Sequence, residues 1–441
     1  MEFIPQFGGV VFTILAFVVA LSIIVAIHEY GHYIVGRWSG IHAEVFSIGF
    51  GPVLFSRTDK HGTRWQIAAL PFGGFVKFLG DSDAASGKDG AAMDALDMKE
   101  RRRSMHGAPL WARSATVAAG PVFNFILSIL VFAAFSFFMG QAVNEALVGE
   151  PRNLPAEIVT LEEGDLILSI EGNPVADLAD LFVVSDEIEP APMVTYEIER
   201  GGRVLSVEAA SPLIPYVQGV QPQSAAIDAG ILEGDVITSV NGEPIYAFKE
   251  LREAVETSEG APMEIGLWRA GEQIDVTLSP RRVDLPLAEG GFETRWLIGI
   301  SGGLLFTPQT ESVGPLAAIG FGIEQTGSII QSSLSGLWHM ITGAISSCNL
   351  QGPIGIAETS GEVASQGLDS FIWFIAVLST AVGLLNLFPI PVLDGGHLVF
   401  HAYEAVVGRP PSDKAMRIFM TAGLTMMLSL MLFAVTNDLF C

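Results

Sequence analysis

Phe3 to His32 reads F-I-P-Q-F-G-G-V-V-F-T-I-L-A-F-V-V-A-L-S-I-I-V-A-I-H-E-Y-G-H. The first 25 of these residues, Phe3 to Ile27, contain no Asp, Glu, Lys or Arg, and they run straight into His28-Glu29-Tyr30-Gly31-His32. About 20 apolar residues span a bilayer as a helix. Two histidines at i and i+4 lie on one helical face, so both imidazoles can reach one ion, with Glu29 beside them to hold a water. Ionisable groups at the end of such a span mark a functional site by default; the bland alternative is a pair of interfacial histidines just outside the lipid. The segment has no basic leader and no clear small-residue cleavage site, so it does not read as a signal peptide.

Three further stretches are apolar and free of those charges: Ser114 to Asn144, Ser370 to Leu393, and Ile418 to Asn437. They explain the composition of the 441-residue chain, which is 50% hydrophobic and only 16% charged, with a mean hydropathy of +0.46. Soluble globular domains carry about 25% charged residues, so this is a membrane protein rather than an ordinary soluble enzyme. A net charge of −25 disfavours nucleic acid as a partner, because that needs a basic footprint. Two cysteines, Cys348 and Cys441, make neither a disulfide framework nor a thiolate zinc site.

A second motif closes the third apolar stretch: Asn386-Leu387-Phe388-Pro389-Ile390-Pro391-Val392-Leu393-Asp394-Gly395-Gly396. Two prolines in three residues break the helix. Broken backbone at membrane depth is tolerated only where it lines a polar cavity. Asp394 then supplies a third ligand, and two His plus one carboxylate with an open fourth position is a catalytic zinc shell.

Charge separates the connecting segments. The segment 37–113 holds 11 Lys/Arg and 8 Asp/Glu, whereas 139–312 holds 9 Lys/Arg and 30 Asp/Glu. The positive-inside rule puts the first in the cytoplasm, with Arg101-Arg102-Arg103 as a lipid-anchoring basic run, and alternation puts the second outside. Span one then ends near the cytoplasm at His28 and His32, and span three ends there at Asp394. Another charge-free stretch, Gln325 to Ala357, is rich in Ser, Gly, Thr and Gln and reads as an amphipathic surface helix followed by a turn at Gly352-Pro353-Ile354-Gly355. The alternative, a fifth span, would move Asp394 to the opposite face.

The outer segment repeats itself. Gly164, Asp165, Ile167, Ser169, Gly172 and Pro174 recur 70 residues later as Gly234, Asp235, Ile237, Ser239, Gly242 and Pro244, and Arg200-Gly201-Gly202 is echoed by Arg269-Ala270-Gly271. The pattern suggests two small duplicated domains and resembles PDZ domains, which bind peptide by adding a strand to a sheet edge. The second copy is fuller, with a strand starting at Gly219-Val220 and a short helix over Ser224 to Gly230. In the first copy the lead-in, Leu154 to Thr160, matches poorly. A spacer or plug is the alternative role for either copy.

Together, H-E-x-x-H, Gly120-Pro121-Val122-Phe123-Asn124 as G-P-x-x-N, and N-x-x-P-x-P-x-L-D-G resemble the site-2 protease family of intramembrane zinc metalloproteases, in particular the bacterial regulator of sigma-E protease group. The resemblance covers almost the whole chain. It implies a membrane α-helical fold of four transmembrane helices, two α+β PDZ-like domains between spans two and three, and a short cytoplasmic β-hairpin. The expected segments are span one over 1–36, a cytoplasmic loop with the hairpin over 37–113, span two over 114–141, PDZ-like domains over 142–217 and 218–308, and a surface helix and connector over 309–369. Span three over 370–396, a cytoplasmic loop over 397–415 and span four over 416–441 complete the chain.

The resemblance further implies that His28, His32 and Asp394 bind Zn2+, that Glu29 is the catalytic base, and that Asn386 contacts substrate backbone. Pro389 and Pro391, Gly73, Gly74 and Phe75 of the hairpin, and Gly219 and Val220 of the second PDZ-like domain complete the expected substrate-binding set. Phe46 to Pro52 and Trp65 to Leu79 form that hairpin, with Phe72-Gly73-Gly74-Phe75 as its turn and an edge strand that holds substrate extended; a plain amphipathic surface hairpin is the alternative. His397 and His401 read as packing residues rather than ligands, and His42, His61, His106 and His339 as surface residues.

The implied activity is cleavage, in a stress response, of a single-span membrane protein such as an anti-sigma factor. An upstream site-1-type protease trims that substrate first, and the PDZ-like pair excludes untrimmed molecules. The implied location is the bacterial inner membrane, with those domains periplasmic and the active site near the cytoplasmic face. A non-catalytic PDZ membrane adaptor is the competing class, but it predicts loss of Glu29 or Asp394, and both are present. A transporter with a midplane metal site lacks the expected repeated halves.

Overall fold

The structure, a computed structural model, describes residues 3–82, 93, 96–152, 154, 160–287 and 291–440; of the first copy's lead-in, residues 155–159 lie outside these. The chain forms two compact units, Met1–Ala134 with Leu316–Thr342 and Ser347–Cys441, and Phe135–Pro315 with Gly343–Ser346.

The first unit is built from helices α1 (Phe3–Trp38), α2 (Leu110–Met139), α3 (Pro315–Ile341), α4 (Pro353–Ser365), α5 (Leu368–Asn386), α6 (Asp394–Val407) and α7 (Asp413–Phe440), with strands β1 (Ala43–Thr58) and β2 (Arg64–Phe78). Among the described residues four helices are long and apolar enough to cross a membrane: Gly9–Trp38, Leu110–Met139, Leu368–Asn386 and Lys414–Phe440. α1 runs through the histidine motif without a break. Gly31 serves close approach, since a Cβ there would lie 2.5 Å from the Ala119 carbonyl oxygen of α2.

α3 is not one of the four. It starts earlier than the sequence suggests, and buries a stripe of small residues, Ala318, Gly322 and Thr326. At Gly322 the helix lies against the backbone of α2, where a Cβ would meet the Ile129 oxygen at 2.3 Å. Leu316, Ile323, Trp338 and Ile341 stay exposed. Gly352-Pro353-Ile354-Gly355, expected as a turn, instead opens α4: Gly352 is its N-cap and Pro353 sits in the first turn. The fixed φ of proline suits that position. Asp438 of α7 completes the cap, accepting hydrogen bonds from the amides of Gly352 (2.7 Å), Ile354 (3.0 Å) and Gly355 (3.2 Å).

The turn between β1 and β2 is not Phe72-Gly73-Gly74-Phe75. The chain reverses over residues 59–63, where Asp59 Oδ1 accepts from the amides of His61 (2.8 Å) and Thr63 (3.0 Å), a side-chain-built turn. The Gly pair lies inside β2, with Gly74 paired to Ile48. Residues 45–48 pair twice, with residues 64–67 and with residues 74–77, so the ribbon curls into a small sheet with 74–77 along one edge. Tyr33 of α1 packs on Phe46 and Trp65 of this sheet, with ring centroids 5.9 and 5.0 Å away.

The second unit contains the duplication as two sheets with separate apolar cores. One orders Asn173–Pro174, Leu166–Ile170, Val194–Arg200 and Arg203–Ala209; the other orders Glu272–Leu278, Met263–Arg269, Val236–Val240, Tyr216–Val220 and Ile300–Gly303. Gly219 and Val220 therefore end a strand rather than start one, and both pair with Ser301 and Ile300. The outer strand on that side of the sheet is Ile300–Gly303 instead. The boundary expected at 217/218 falls within one strand. Past Gly303 the chain also leaves the second copy: Leu304, Leu305 and Phe306 enter the first core, and Phe306–Pro308 pairs with Val148–Pro151. A three-residue strand carries no periodicity for a sequence to display.

The sequence echo has a physical cause. Asp165 and Asp235, both buried, each receive two hydrogen bonds from the equivalent arginine: Arg200 Nε and Nη2 at 2.7 Å, and Arg269 Nε at 2.6 Å and Nη2 at 2.7 Å. The same carboxylates accept the amides of Glu162 and Leu232 at 2.8 Å, which ties each Gly-Asp turn to the third strand of its sheet. Asp235→Ala should cost roughly 2 kcal/mol, the value of charge-assisted bonds to a buried carboxylate. In hydrogen exchange of the intact chain, amides of residues 236–240 and 263–269 should then exchange about 30-fold faster, while residues 166–170 keep their protection. Unchanged protection in the second copy would refute the assignment.

Candidate active site

Three side chains remote in sequence converge. The Nε2 atoms of His28 and His32 are 3.1 Å apart, and Asp394 Oδ2 lies 3.1 Å from the first and 3.5 Å from the second. These are the described residues' group of metal-binding type. His28 and His32 share a face of α1 because they are four residues apart. Asp394 arrives because α5 stops at Asn386 and the chain turns through both prolines before α6 begins. The turn is tight: a Cβ on Gly395 would sit 2.3 Å from the carbonyl oxygens of Leu387 and Phe388, and one on Gly396 would sit 2.3 Å from that of Ile390. Only residues without a side chain fit there. Arg113 of α2 grips Glu404 of α6 through two hydrogen bonds, 2.6 and 3.1 Å, and so ties the helix that carries Asp394 to α2.

This donor set fits a zinc ion. Asp394 Oδ2 is buried without a hydrogen-bond partner, although two imidazole nitrogens face it. Lone pairs that meet at this distance repel unless a proton or a metal cation stands among them. His32 is held in the required form: its Nδ1 donates to the Thr116 carbonyl at 2.8 Å, which leaves the Nε2 lone pair for a metal. α2 closes over the pair at Gly120, where a Cβ would lie 2.4 Å from His32 Nε2 and 2.7 Å from His28 Nε2.

The three donors open into a cavity of about 260 Å³, also lined by Glu29, Asn386, Gly74 and Phe75. Gly74 presses on Glu29, a Cβ there meeting Glu29 Cγ at 3.1 Å, and Val76 lines the same cavity. The sheet edge 74–77 and the motif helix therefore share one chamber. Asn386 donates to the Val382 carbonyl at 3.1 Å and faces the same space. Pro389 and Pro391 shape the break, while Val392 and Asp394 line the cavity; Gly73 instead meets the Phe50 ring. His397 and His401 also line the chamber, and neither belongs to the group of three donors. Burial, then Arg113, pushes the His401 pKa down to about 4. It is therefore a neutral partner for Ser114 Oγ at 3.2 Å.

Gly120 and Asn124 come from the G-P-x-x-N motif, and Thr116 joins them as a contact that its residue type does not announce. Their signal is spacing: at i, i+4 and i+8 they form one stripe of α2, and it faces the two histidines.

Similar proteins carry names that fit this donor set. A family model described as peptidase family M50 matches residues 16–430. The chain is 36% identical over 432 residues to a protein of Agrobacterium fabrum named as a zinc metalloprotease, covering 97% of this chain and 95% of that one. A Rhizobium meliloti protein with the same kind of name is 37% identical over 434 residues, at 97% and 96% coverage. The regulator of sigma-E protease RseP of Salmonella typhimurium is 30% identical over 461 residues, at 98% and 99%. With a two-histidine, one-carboxylate donor set beside a glutamate at the end of an apolar helix, this chain belongs to peptidase family M50 and is a zinc metalloprotease.

Proposed function

We propose that the chain cuts the transmembrane segment of a single-span protein, with His28, His32 and Asp394 as zinc ligands and Glu29 as general base. The observation that carries this reading is the convergence of those donors, with Glu29 in the same chamber, at the end of a helix apolar enough to cross a membrane. Bound there, zinc supplies Lewis acidity toward the scissile carbonyl and lowers the pKa of a bound water to roughly 7. Glu29 takes the proton of the attacking water and returns it to the leaving nitrogen. Asn386, with its side chain in the chamber, is suited to hold the substrate backbone.

A helical substrate hides its carbonyls in hydrogen bonds, so it must be extended before attack. The edge 74–77 beside Glu29 is the surface for this, by strand addition. The outer curl of the same sheet exposes Val53, Leu54, Phe55, Ile67 and Leu70, an apolar patch suited to lipid. Similarity to the Salmonella regulator of sigma-E protease supports an anti-sigma factor as the substrate; we infer that a site-1-type protease trims it first. The protein sits in the bacterial inner membrane, its acidic duplicated domains act in the periplasm as a size filter, and the active site opens toward the cytoplasm.

Reconstituted cleavage of a model transmembrane substrate in detergent tests the roles. Glu29→Gln should lower the rate at least about 100-fold and keep wild-type zinc content; equal rates would remove Glu29 as base. Gly120→Ala drives a methyl group onto the ligand nitrogens, so zinc content and cleavage should fall together. Gly320→Ala, where a Cβ meets nothing within 4 Å, should change neither. Phe75→Pro removes an amide from the edge and should cut cleavage of a helical substrate at least tenfold with zinc retained. Unimpaired cleavage would reduce the sheet to a membrane-surface element.

A further inference from the structure

Asn124 is fully buried on α2, a position that demands partners for both ends of its side-chain amide. The Nδ2 end lies 3.3 Å from His28 Nδ1, on the side of the ring away from Asp394. The Oδ1 end has no hydrogen-bond partner. The backbone carbonyl of the same residue is anchored, accepting Ser128 Oγ at 3.1 Å and Ser379 Oγ of α5 at 3.0 Å. The side chain therefore hangs from a fixed point between two helices.

The chemistry decides which end of the amide belongs on the ring. A neutral imidazole carries one N–H. If Nε2 gives its lone pair to a metal, the hydrogen sits on Nδ1, and Nδ1 needs an acceptor. An amide N–H aimed at Nδ1 would instead set donor against donor. The two ends of an Asn amide are nearly isosteric, so hydrogen bonding assigns them. Exchanging them gives the orphaned carbonyl a donor and His28 its acceptor in one step.

We propose that the Asn124 side-chain carbonyl accepts the His28 Nδ1 hydrogen and so fixes the tautomer and ring plane that present Nε2 to zinc. Asn124 is then a positioning residue, the counterpart for His28 of the Thr116 carbonyl that holds His32. One histidine is oriented by a backbone oxygen and the other by a side chain two helical turns further along α2. The inference rests on His28 being a ligand, as proposed above.

The test is zinc affinity of the full-length protein in detergent, measured by competition with a chelator of known affinity. Wild type is compared with His28→Ala, Asn124→Leu and Asn124→Asp. Loss of a partner that orients a metal-binding histidine weakens binding about 10- to 100-fold. Asn124→Leu should show that loss. Asn124→Asp, an acceptor of nearly the same shape, should stay within about threefold of wild type or bind tighter. If His28→Ala binds as wild type, the ligand assignment fails and this inference falls with it. If His28→Ala weakens zinc and Asn124→Leu does not, the ligand assignment stands and this inference is wrong. A loss in Asn124→Asp as large as in Asn124→Leu also overturns it, because the amide N–H or packing would then be what matters. Should Asn124→Leu not remain monodisperse, the Asn124→Asp affinity decides alone, in the same two directions.

Discussion

Two imidazoles and two carboxylates stand at the end of a long apolar helix, where unpaired polar groups cost several kcal/mol each. That cost is lowest when they share a cation and when every remaining lone pair and proton has a partner. Much of the first unit serves this one requirement. α2 supplies the Thr116 carbonyl and brings Gly120 against the rings. The broken segment after α5 folds back tightly enough for Asp394 to meet groups more than 360 positions earlier in the chain. The glycines at 31, 120, 395 and 396 all stand where a methyl group would strike backbone or a ring. They make close approach possible, since a metal shell tolerates little slack.

Tying distant elements together falls to a few polar contacts in apolar surroundings. Arg113 and Glu404 are each only 15% and 17% exposed, and they join two helices that both contribute to the site. A paired fork of this kind sets position as well as energy. Asp438 does similar work at the start of α4, where one carboxylate satisfies three amides that the helix geometry leaves open. Such contacts hold helices in register where apolar side chains alone would let them slide.

The parts legible in the sequence were those with a period or a costly residue. A 25-residue charge-free run, histidines four apart, an aspartate after two prolines, and a Gly-Asp turn repeated at 70 residues each constrain geometry strongly. Arg200 and Arg269 were visible as an echo because the buried carboxylates of Asp165 and Asp235 need the same partner twice. Gly-Gly at 73–74 misled, since glycine signals either a reversal or a close approach. Asp59 had taken the reversal, which left Gly74 to admit the Glu29 side chain. Pro353 misled in the same way, because proline ends some helices and begins others. Thr116 was invisible in principle: it contributes a backbone carbonyl, which every residue has. The return of residues 304–306 into the first core was equally hidden, for three apolar residues look alike in either copy.

One rule connects the enzyme's own backbone with that of its proposed substrate. Free amides and carbonyls are excluded from lipid unless they border a polar cavity. The chain obeys this where it breaks between Asn386 and Asp394: Leu393 donates to Ile390, and Gly396 to Leu393, beside the chamber. An unwound substrate faces the same exclusion, and the chamber answers it with an edge strand on one wall and Asn386 on another. In the proposed reaction, extension and hydrolysis are then favoured in the same place, because the chamber that can hold an unpaired carbonyl is also where His28, His32, Asp394 and Glu29 meet. A substrate that remains helical gains nothing by entering, whereas one with a helix-weakening segment at that depth exchanges internal hydrogen bonds for those of the edge. For the proposed substrate, backbone energetics alone then favour such segments.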